Sequence, residues 1–449
     1  MKKILLFILS LIICLSACFS FGCGAAPSGG MTAGDKHAPA PDIGKPSGGI
    51  GETAAPDTIP GDPTAGEDSG KDSSPGNEQD VTLPAGQLTA GAQNDNDYYS
   101  DWLKLFFNGQ NSADSGKFAD KIGYFDLYSL DRVKVTVKSG DKPVEQAYVS
   151  CISDDQKVLF NAMTDANGVA YLFPNSESGK IVVELTDSNI AVKKTVDFSA
   201  DNRDLTVDIE KEAPAKNNLI QLMFVVDATG SMGDEMRYLT AELGDVIKRI
   251  VKNNGVKIDL GFLFYRDDCD KEKFFDVPFK DVTEEVNYRE MQNILAKQRA
   301  EGGGDYPEAL DEALLKAVNR NWAANATKII FNVLDAPCHE ESENIKNYSS
   351  AVNAAAAKGI RICPVMASGA NMLTEYLVRQ AAILTGGTFT FITDDSGIGG
   401  SHYDPDLPNV VIERLNDLLV RLVEGYYTGT FAKPVYWKDA IRNELNGNG

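Results

Sequence analysis

The sequence has few of the residues that build histidine-rich or cysteine-rich proteins. Its 449 residues include only 3 histidines and 7 cysteines. Disulfide-dense scaffolds are short and rich in cysteine, so this chain is not one of them. Chemistry that depends on many histidines or cysteines is also hard to build from this composition. The length exceeds that of one ordinary domain and predicts two or three.

Positive charge is scarce as well. Lysine and arginine number 43 against 65 aspartates and glutamates, which gives a formal net charge of −22. Because binding to phosphates requires a cationic surface, we expect no nucleic-acid partner. The hydrophobic fraction of 43% is nevertheless large enough for a substantial core, so the chain as a whole is not disordered.

Long apolar runs are absent except at the N-terminus. Lys2–Lys3 precede the apolar run Ile4–Leu15, which is short for a transmembrane helix. The run ends in Leu15–Cys18, which resembles the bacterial lipobox. The resemblance implies a signal peptide at residues 1–18, acylation of Cys18, and a lipid-anchored, extracytoplasmic protein of the bacterial cell envelope. An ordinary secretory signal and an uncleaved anchor remain as alternatives.

Aromatic residues are absent between Gly24 and about Gln93, where Gly, Pro, Ala, Ser, Thr and Asp dominate. Such a composition buries too little apolar surface to offset the entropy of ordering. We therefore predict a disordered, acidic linker at residues 19–93. Residues 94–128 form a transition segment, in which Trp102–Phe107 predicts a short helix that packs against the next domain.

A period of two begins near Val133 and predicts a small all-β domain at residues 129–212. Short strand patterns recur about every ten residues, which favours an antiparallel sandwich. The turn of Thr164, Asp165 and Gly168 is similar to that of carboxypeptidase-regulatory-like or Cna-B-like modules, which implies a spacer. Asp165 is predicted to form the turn, not to bind calcium. The other predicted strands are Ala147–Ile152, Val158–Met163, Val169–Phe173, Ile181–Leu185 and Leu205–Ile209.

Residues 214–428 alternate strand and helix patterns. Leu219–Val226 is almost continuously apolar, as expected of a strand buried on both faces. The alternation predicts an α/β fold with a doubly wound, mostly parallel sheet, whose ligands lie at the carboxyl ends of the strands. Residues 429–449 are predicted to be a C-terminal tail. The remaining predicted strands are Ile258–Tyr265, the edge strand Phe274–Phe279, Lys328–Leu334, Ile360–Met366 and Thr388–Ile392.

The loop after the first of these strands carries Asp227, Thr229 and Ser231 at alternate positions. Carboxylate and hydroxyl oxygens are the ligands that Mg²⁺ prefers. This pattern resembles the Asp-x-Ser/Thr-x-Ser motif of the metal-ion-dependent adhesion site (MIDAS) in von Willebrand factor type A (VWA) domains. The resemblance covers about Asn217–Tyr427. It implies a Rossmann-like VWA domain that holds Mg²⁺, or else Mn²⁺ or Ca²⁺.

Two further loops extend the resemblance. The family places a metal-associated aspartate after a later strand, and this position matches Asp335. Many members also place a metal-binding threonine in the loop that is Gly302–Glu308 here. This sequence departs from that pattern, and only Asp305 offers a comparable oxygen. The resemblance therefore implies Asp305 as a further ligand in place of that threonine, with a lower net positive charge at the metal.

The family resemblance implies a binding function without enzymatic activity. A MIDAS-type metal accepts a carboxylate from a partner, so we expect metal-dependent protein–protein binding or adhesion with a partner that presents an acidic residue. One alternative is an envelope assembly scaffold without external adhesion. Another is a hydrolase that uses Ser231 with His339 and Asp335, although Thr229–Gly233 lacks the first glycine of the Gly-x-Ser-x-Gly elbow.

Two cysteines lie in loops at the same predicted edge of the sheet. Export would permit a disulfide between Cys269 and Cys338, but their loop positions alone do not establish one. Cys151 and Cys363 fall within apolar strand patterns and are predicted to be small core residues. His402 follows a glycine-rich stretch, and the sequence assigns it no role.

Overall fold

The computed structural model describes residues 83–84, 87–107, 116–187, 190–210, 218–405, 407 and 410–447. The predicted signal peptide, Cys18 and the linker up to residue 82 lie outside these residues. None of the helices in the described part is both long and apolar enough to cross a membrane. The described residues form a module of strands and a larger region in which strands and helices alternate.

The strand module lies between a short N-terminal segment and the larger region. Its strands form two four-stranded sheets, and every pairing is antiparallel except one. The elements in chain order are β1 (Thr89–Gln93), α1 (Tyr99–Lys104), β2 (Val133–Ser139), β3 (Lys142–Pro143), β4 (Tyr148–Ile152), β5 (Val158–Met163), β6 (Val169–Leu172), β7 (Gly179–Asp187), β8 (Ile190–Phe198) and β9 (Asp204–Asp208). One sheet contains β3, β2, β6 and β9, and the other has the order β5-β4-β7-β8.

The alternating pattern of β2 is confirmed. Val133, Val135 and Val137 are buried, whereas the lysines and threonine between them are partly exposed. These valines share one hydrophobic core with Val149 and Val183 of the other sheet. The arrangement supports the predicted sandwich, with one difference. Strand β9 pairs with β2 in parallel, so the sandwich is not purely antiparallel.

Asp165 forms the predicted turn. Its Oδ1 accepts hydrogen bonds from the amides of Asn167 and Val169, both at 2.9 Å. Gly168 adopts a φ of +72°, and a Cβ at this position would lie 2.4 Å from the carbonyl oxygen of Val137. Glycine is therefore required both by the left-handed conformation and by the close approach of the backbone.

The larger region is built on an eight-stranded sheet. Its order is β12-β11-β10-β13-β14-β15-β1-β16, and its central strands β11, β10, β13, β14 and β15 are parallel. This confirms the predicted α/β sheet. The elements are β10 (Leu219–Asp227), α2 (Gly233–Asn254), β11 (Lys257–Tyr265), β12 (Phe274–Asp281), α3 (Glu285–Ala296), α4 (Leu310–Val318), β13 (Thr327–Leu334), α5 (Ser342–Lys358), β14 (Ile360–Met366), α6 (Met372–Thr385), β15 (Phe389–Ile392), β16 (Glu413–Arg414), α7 (Leu415–Thr428) and α8 (Trp437–Leu445).

Helices cover both faces of this sheet. Buried residues of α4, α5 and α6 belong to one hydrophobic core, and those of α2, α3 and α7 belong to the other. Strand β12 is an edge strand, as predicted, and it pairs with β11 in the antiparallel direction. In the parallel part Asp227 pairs with Tyr265, and Val226 pairs with Val333. The loops that follow β10, β11 and β13 therefore meet at one edge of the sheet, which we call the carboxyl edge.

The predicted linker ends earlier than residue 93. Strand β1 runs antiparallel to β15 and β16 inside the large sheet, so the prediction is wrong for these five residues. The reason lies in their size. A Cβ at Gly91 would lie 2.5 Å from Cζ of Phe391, so only small side chains fit there. Because Ala90, Gly91 and Ala92 are small residues, this strand resembles the linker in composition.

The predicted C-terminal tail also contains structure. Helix α8 buries Trp437 and Ile441, and the indole nitrogen of Trp437 donates to Asp395 Oδ2 at 2.9 Å. An ion pair of 2.6 Å joins Glu444 to Arg414. Helix α8 therefore packs beside β16 at the edge of the sheet. The predicted C-terminal tail contains a packed helix.

Candidate metal centre

The loop after β10 brings together the first three predicted ligands. Asp227 is fully buried, and its Oδ1 accepts hydrogen bonds from the amide of Thr229 at 2.9 Å and from its hydroxyl at 2.7 Å. The hydroxyl oxygens of Thr229 and Ser231 lie 3.1 Å apart. A 3₁₀ turn at Gly230–Met232 leads into α2 and leaves Ser231 exposed. The three side chains therefore extend from the buried end of β10 to the surface.

Asp335 lies at the same edge, directly after β13. Its side chain is buried, and burial raises its pKa to about 6, while a hydrogen bond with Ser231 acts in the opposite direction. The hydroxyl of Tyr306 donates to the main-chain oxygens of Asp335 and Gly369, both at 3.2 Å. The Ser231 side chain therefore lies beside the Asp335 carboxylate.

Two buried oxygens of this set have no hydrogen-bond partner: Asp227 Oδ2 and Asp335 Oδ1. Burial, followed by repulsion from Asp335, raises the pKa of Asp227 to about 7. No lysine or arginine in the described residues forms an ion pair with either aspartate. Buried charges are normally paired or coordinate a metal. Two carboxylates, two hydroxyls and unused oxygen lone pairs fit a hard cation such as Mg²⁺.

Glu308 is a buried carboxylate that the sequence reasoning missed. It begins the turn before α4 and is only 3% exposed. Burial and the charges of Asp227, Asp267 and Asp335 raise its pKa to about 9. A Cβ at Gly303 would lie 3.1 Å from Glu308 Oε1 and 3.3 Å from Thr229 Cβ, so the glycine loop fits closely over both. In sequence, an acidic residue at this place resembles an ordinary first-turn residue of a helix.

The structure places Asp305 with a different set of residues. One ligand atom from each of Asp267, Asp305 and His339 lies within 4.8 Å of the others. His339 Nε2 is 3.0 Å from Asp267 Oδ1. Burial raises the pKa of Asp267, but hydrogen bonds with His339, the Asp268 amide and Cys269 lower it below the ordinary value. Asp305 therefore lies in a group with Asp267 and His339, separate from Asp227, Thr229, Ser231 and Asp335, which we call the Asp227 set.

Cys269 and Cys338 are both free thiols. Cys269 is exposed, with its Sγ 3.4 Å from Asp267 Oδ2, whereas Cys338 is completely buried in the core. The structure does not contain the disulfide that their loop positions allowed. Both cysteines lie in loops at the carboxyl edge of the sheet, but the side chain of Cys269 is exposed and that of Cys338 is buried. Cys151 and Cys363 are buried, as predicted.

Residues 221–383 match the family model described as von Willebrand factor A domain. The chain contains a VWA domain. The matched range runs from β10 to α6 and includes the loops that carry Asp227, Asp305 and Asp335. A solved von Willebrand factor type A structure from Catenulispora acidiphila covers 58% of this chain and 48% of its own, with 11% identity and a TM-score of 0.32.

Two curated proteins resemble parts of the chain. An alpha-protein kinase of Dictyostelium discoideum is 24% identical over 156 residues, which is 34% of this chain and 24% of the kinase. A putative ariadne-like RING finger protein of Acanthamoeba polyphaga mimivirus is 30% identical over 142 residues, 30% of this chain and 13% of that protein. The chain thus spans a quarter or less of these relatives.

His402 belongs to a network of carboxylates beside the candidate metal-ligand loops. Its side chain is 3% exposed, with Nδ1 2.7 Å from Asp394 Oδ1 and Nε2 3.5 Å from Glu235 Oε1. Glu235 lies at the start of α2 and also accepts the amide of Ser368, which follows β14, at 3.0 Å. The histidine therefore connects the 394–402 loop to α2 and to the loop after β14.

We expect His402→Gln to lower stability more in acid than in alkali. Burial lowers the pKa of His402, but the hydrogen bonds and charges of Glu235 and Asp394 outweigh it, so the pKa is raised above 6.5. The charged histidine therefore stabilises the fold fully below pH 6.5, and the gain is lost as the pH rises through the folded pKa. Urea unfolding should show a cost of about 1.5–3 kcal/mol at the acidic end. An equal cost at all pH values would contradict this assignment.

Proposed function

We propose that the VWA domain binds a divalent cation at its carboxyl edge and uses it to hold a carboxylate of a partner protein. Mg²⁺ is the expected ion, with Mn²⁺ or Ca²⁺ as substitutes. The observation that carries the proposal is the pair of buried, unpartnered oxygens, Asp227 Oδ2 and Asp335 Oδ1. A bound cation removes the cost of burying both charges. The proposed ligands are Asp227, Thr229, Ser231 and Asp335.

The charge of the chain supports an acidic partner that is bridged by metal. With a net charge of −22, the protein repels an acidic surface in the absence of a cation. A divalent ion next to exposed Ser231 supplies a concentrated positive charge at the point where the site opens to solvent. The buried surroundings of Asp227 strengthen that interaction because they reduce screening by water.

The proposed setting is the bacterial cell envelope. The lipobox-like segment Leu15–Cys18 supports lipid attachment at Cys18. Acyl chains hold a protein at a membrane surface without a transmembrane helix. The polar, glycine- and proline-rich residues that follow suit a spacer between the anchor and the folded region.

Isothermal titration of MgCl₂ into the purified full chain tests the metal site. We expect one ion per chain, and affinity reduced by about tenfold or more in Asp335→Asn, which removes one charged ligand. Asp439→Asn is the control, because Asp439 is exposed on α8 and pairs only with Arg442 among its ion-pair contacts. The absence of Mg²⁺ binding, or an unchanged affinity in Asp335→Asn, would reject the proposed site.

The partner chemistry is tested with a pair of immobilised peptides that differ by one residue. The first contains a single glutamate, and the second has glutamine in its place. The wild-type chain should bind the glutamate peptide only when Mg²⁺ is present, and Ser231→Ala should weaken this binding. Equal binding to both peptides in the presence of a chelator would favour a passive scaffold. Ester or phosphate hydrolysis that is lost in Ser231→Ala would favour the hydrolase.

A further inference from the structure

A second group of ligand atoms lies beside the proposed Mg²⁺ site. Asp267 follows β11, Asp305 lies in the glycine-rich loop, and His339 lies in the loop after β13. One ligand atom of each lies within 4.8 Å of the other two. Asp267 is 2% exposed, His339 is partly buried, and Asp305 is exposed. Three separate loops thus converge on one point that is open to solvent on the Asp305 side.

The donors in this group differ from those of the first set. The Asp227 set offers only oxygens, whereas this group contains an imidazole nitrogen. The exposed thiol of Cys269 is also close, with its Sγ 3.4 Å from Asp267 Oδ2. Nitrogen, carboxylate and sulfur donors favour Zn²⁺ and similar d-block ions over Mg²⁺. The two sets therefore differ in the donor atoms that they offer to a metal ion.

The glycine-rich loop that carries Asp305 also passes the buried carboxylate of Glu308. Its Oε2 has no hydrogen-bond partner among the described residues. Consecutive glycines let the loop pass close to the carboxylates of both Glu308 and Asp267. A Cβ at Gly303 would lie 3.1 Å from Glu308 Oε1, and one at Gly304 would lie 2.9 Å from Asp267 Oδ2. The absence of side chains at Gly303 and Gly304 thus leaves room for both carboxylates beside the loop.

We propose that Asp267, Asp305 and His339 bind Zn²⁺ or a similar d-block divalent ion at a second site, distinct from the Mg²⁺ site. Asp267 and His339 are held together by their 3.0 Å contact, and Asp305 closes the set from the surface. The inference goes beyond the proposed function, because it needs neither Mg²⁺ nor a partner protein. It also gives Asp305 a metal-binding role at a different place from the one that the sequence suggested.

Titration of ZnCl₂ into the full chain, in excess MgCl₂, tests this proposal. We expect one zinc ion per chain and binding weakened by about tenfold or more in His339→Gln and in Asp305→Asn. Asp305 is exposed, so its substitution leaves the fold intact. Asp439→Asn is the control, because Asp439 is exposed on α8 and pairs with Arg442. Unchanged zinc affinity in both His339→Gln and Asp305→Asn would overturn the proposal.

Two further variants separate the possible explanations. Cys269→Ser should retain zinc binding; complete loss in this variant, with full retention in His339→Gln, would mean that an exposed thiol captures the ion and would overturn the site. Asp335→Asn should lose Mg²⁺ but keep Zn²⁺, whereas His339→Gln should do the reverse. The failure of one site is thereby distinguished from the failure of the other.

Discussion

At about pH 8 and without divalent cations, Asp227→Asn is expected to be more stable than the wild-type chain although it no longer binds Mg²⁺. Burial, and then repulsion from Asp335, raises the pKa of Asp227 from 3.8 to about 7. Ionisation of Asp227 is therefore less favourable in the folded state than in the unfolded state. The asparagine keeps the oxygen that accepts from Thr229 and removes the charge.

The sign and window of this effect follow from linkage. Below pH 3.8 the aspartate is protonated in both states and costs nothing. As the pH rises from there through about 7, the wild-type chain loses stability, and the full difference is about 4 kcal/mol. The two proteins should thus have similar unfolding free energies near pH 4 and diverge toward pH 8.

Urea unfolding with chelator, and then with excess Mg²⁺, measures both parts of the prediction. Mg²⁺ at 100 times its Kd should stabilise the wild-type chain by about 2.7 kcal/mol and leave Asp227→Asn unchanged. Asp439→Asn again serves as the control for a lost surface charge. A variant that is less stable than wild type in chelator at pH 8, or that still responds to Mg²⁺, would contradict the electrostatic account of the site.

The second large effect concerns Arg379, a fully buried cation that anchors the N-terminal segment to the large sheet. Its guanidinium donates to Asp95 Oδ2 at 2.9 Å, to Asp95 Oδ1 at 2.6 Å and to Glu375 Oε1 at 3.0 Å. The same group lies over the rings of Trp102 and Phe389. Asp95 and Trp102 precede the sandwich, so this contact fixes the transition segment to α6.

We expect Arg379→Met to cost about 3–5 kcal/mol, because it leaves buried Asp95 without its cation and buried Glu375 with Lys117 alone. Chemical denaturation of the full chain measures the cost. Arg289→Met is the matched control: its ion pair with Glu285 is 73% and 69% exposed, and its loss should cost less than about 1 kcal/mol. Equal costs for the two variants would show that the buried cluster contributes no more than a surface pair.

The candidate site was predictable where one short segment supplies it. Asp227, Thr229 and Ser231 lie within five residues, and a turn after a buried strand brings their oxygens together. Asp335 was predictable for another reason: a parallel strand next to β10 must end at the same edge. Glu308 was not predictable, because its importance comes from burial beside Asp227 and Asp267, and neither is its neighbour in sequence.

The sequence by itself determined the alternation of strands and helices between β10 and β15, the burial pattern of β2 and the candidate ligand loop after β10, because periodicity and local turns depend on neighbouring residues. Only the tertiary structure decided that residues 89–93 enter the large sheet, that Arg379 pairs with Asp95, and that Asp305 joins His339. Each of these outcomes depends on groups that lie far apart in the chain. The few histidines of this protein are an example: two of the three lie in buried or partly buried carboxylate networks, which no count of histidines could reveal.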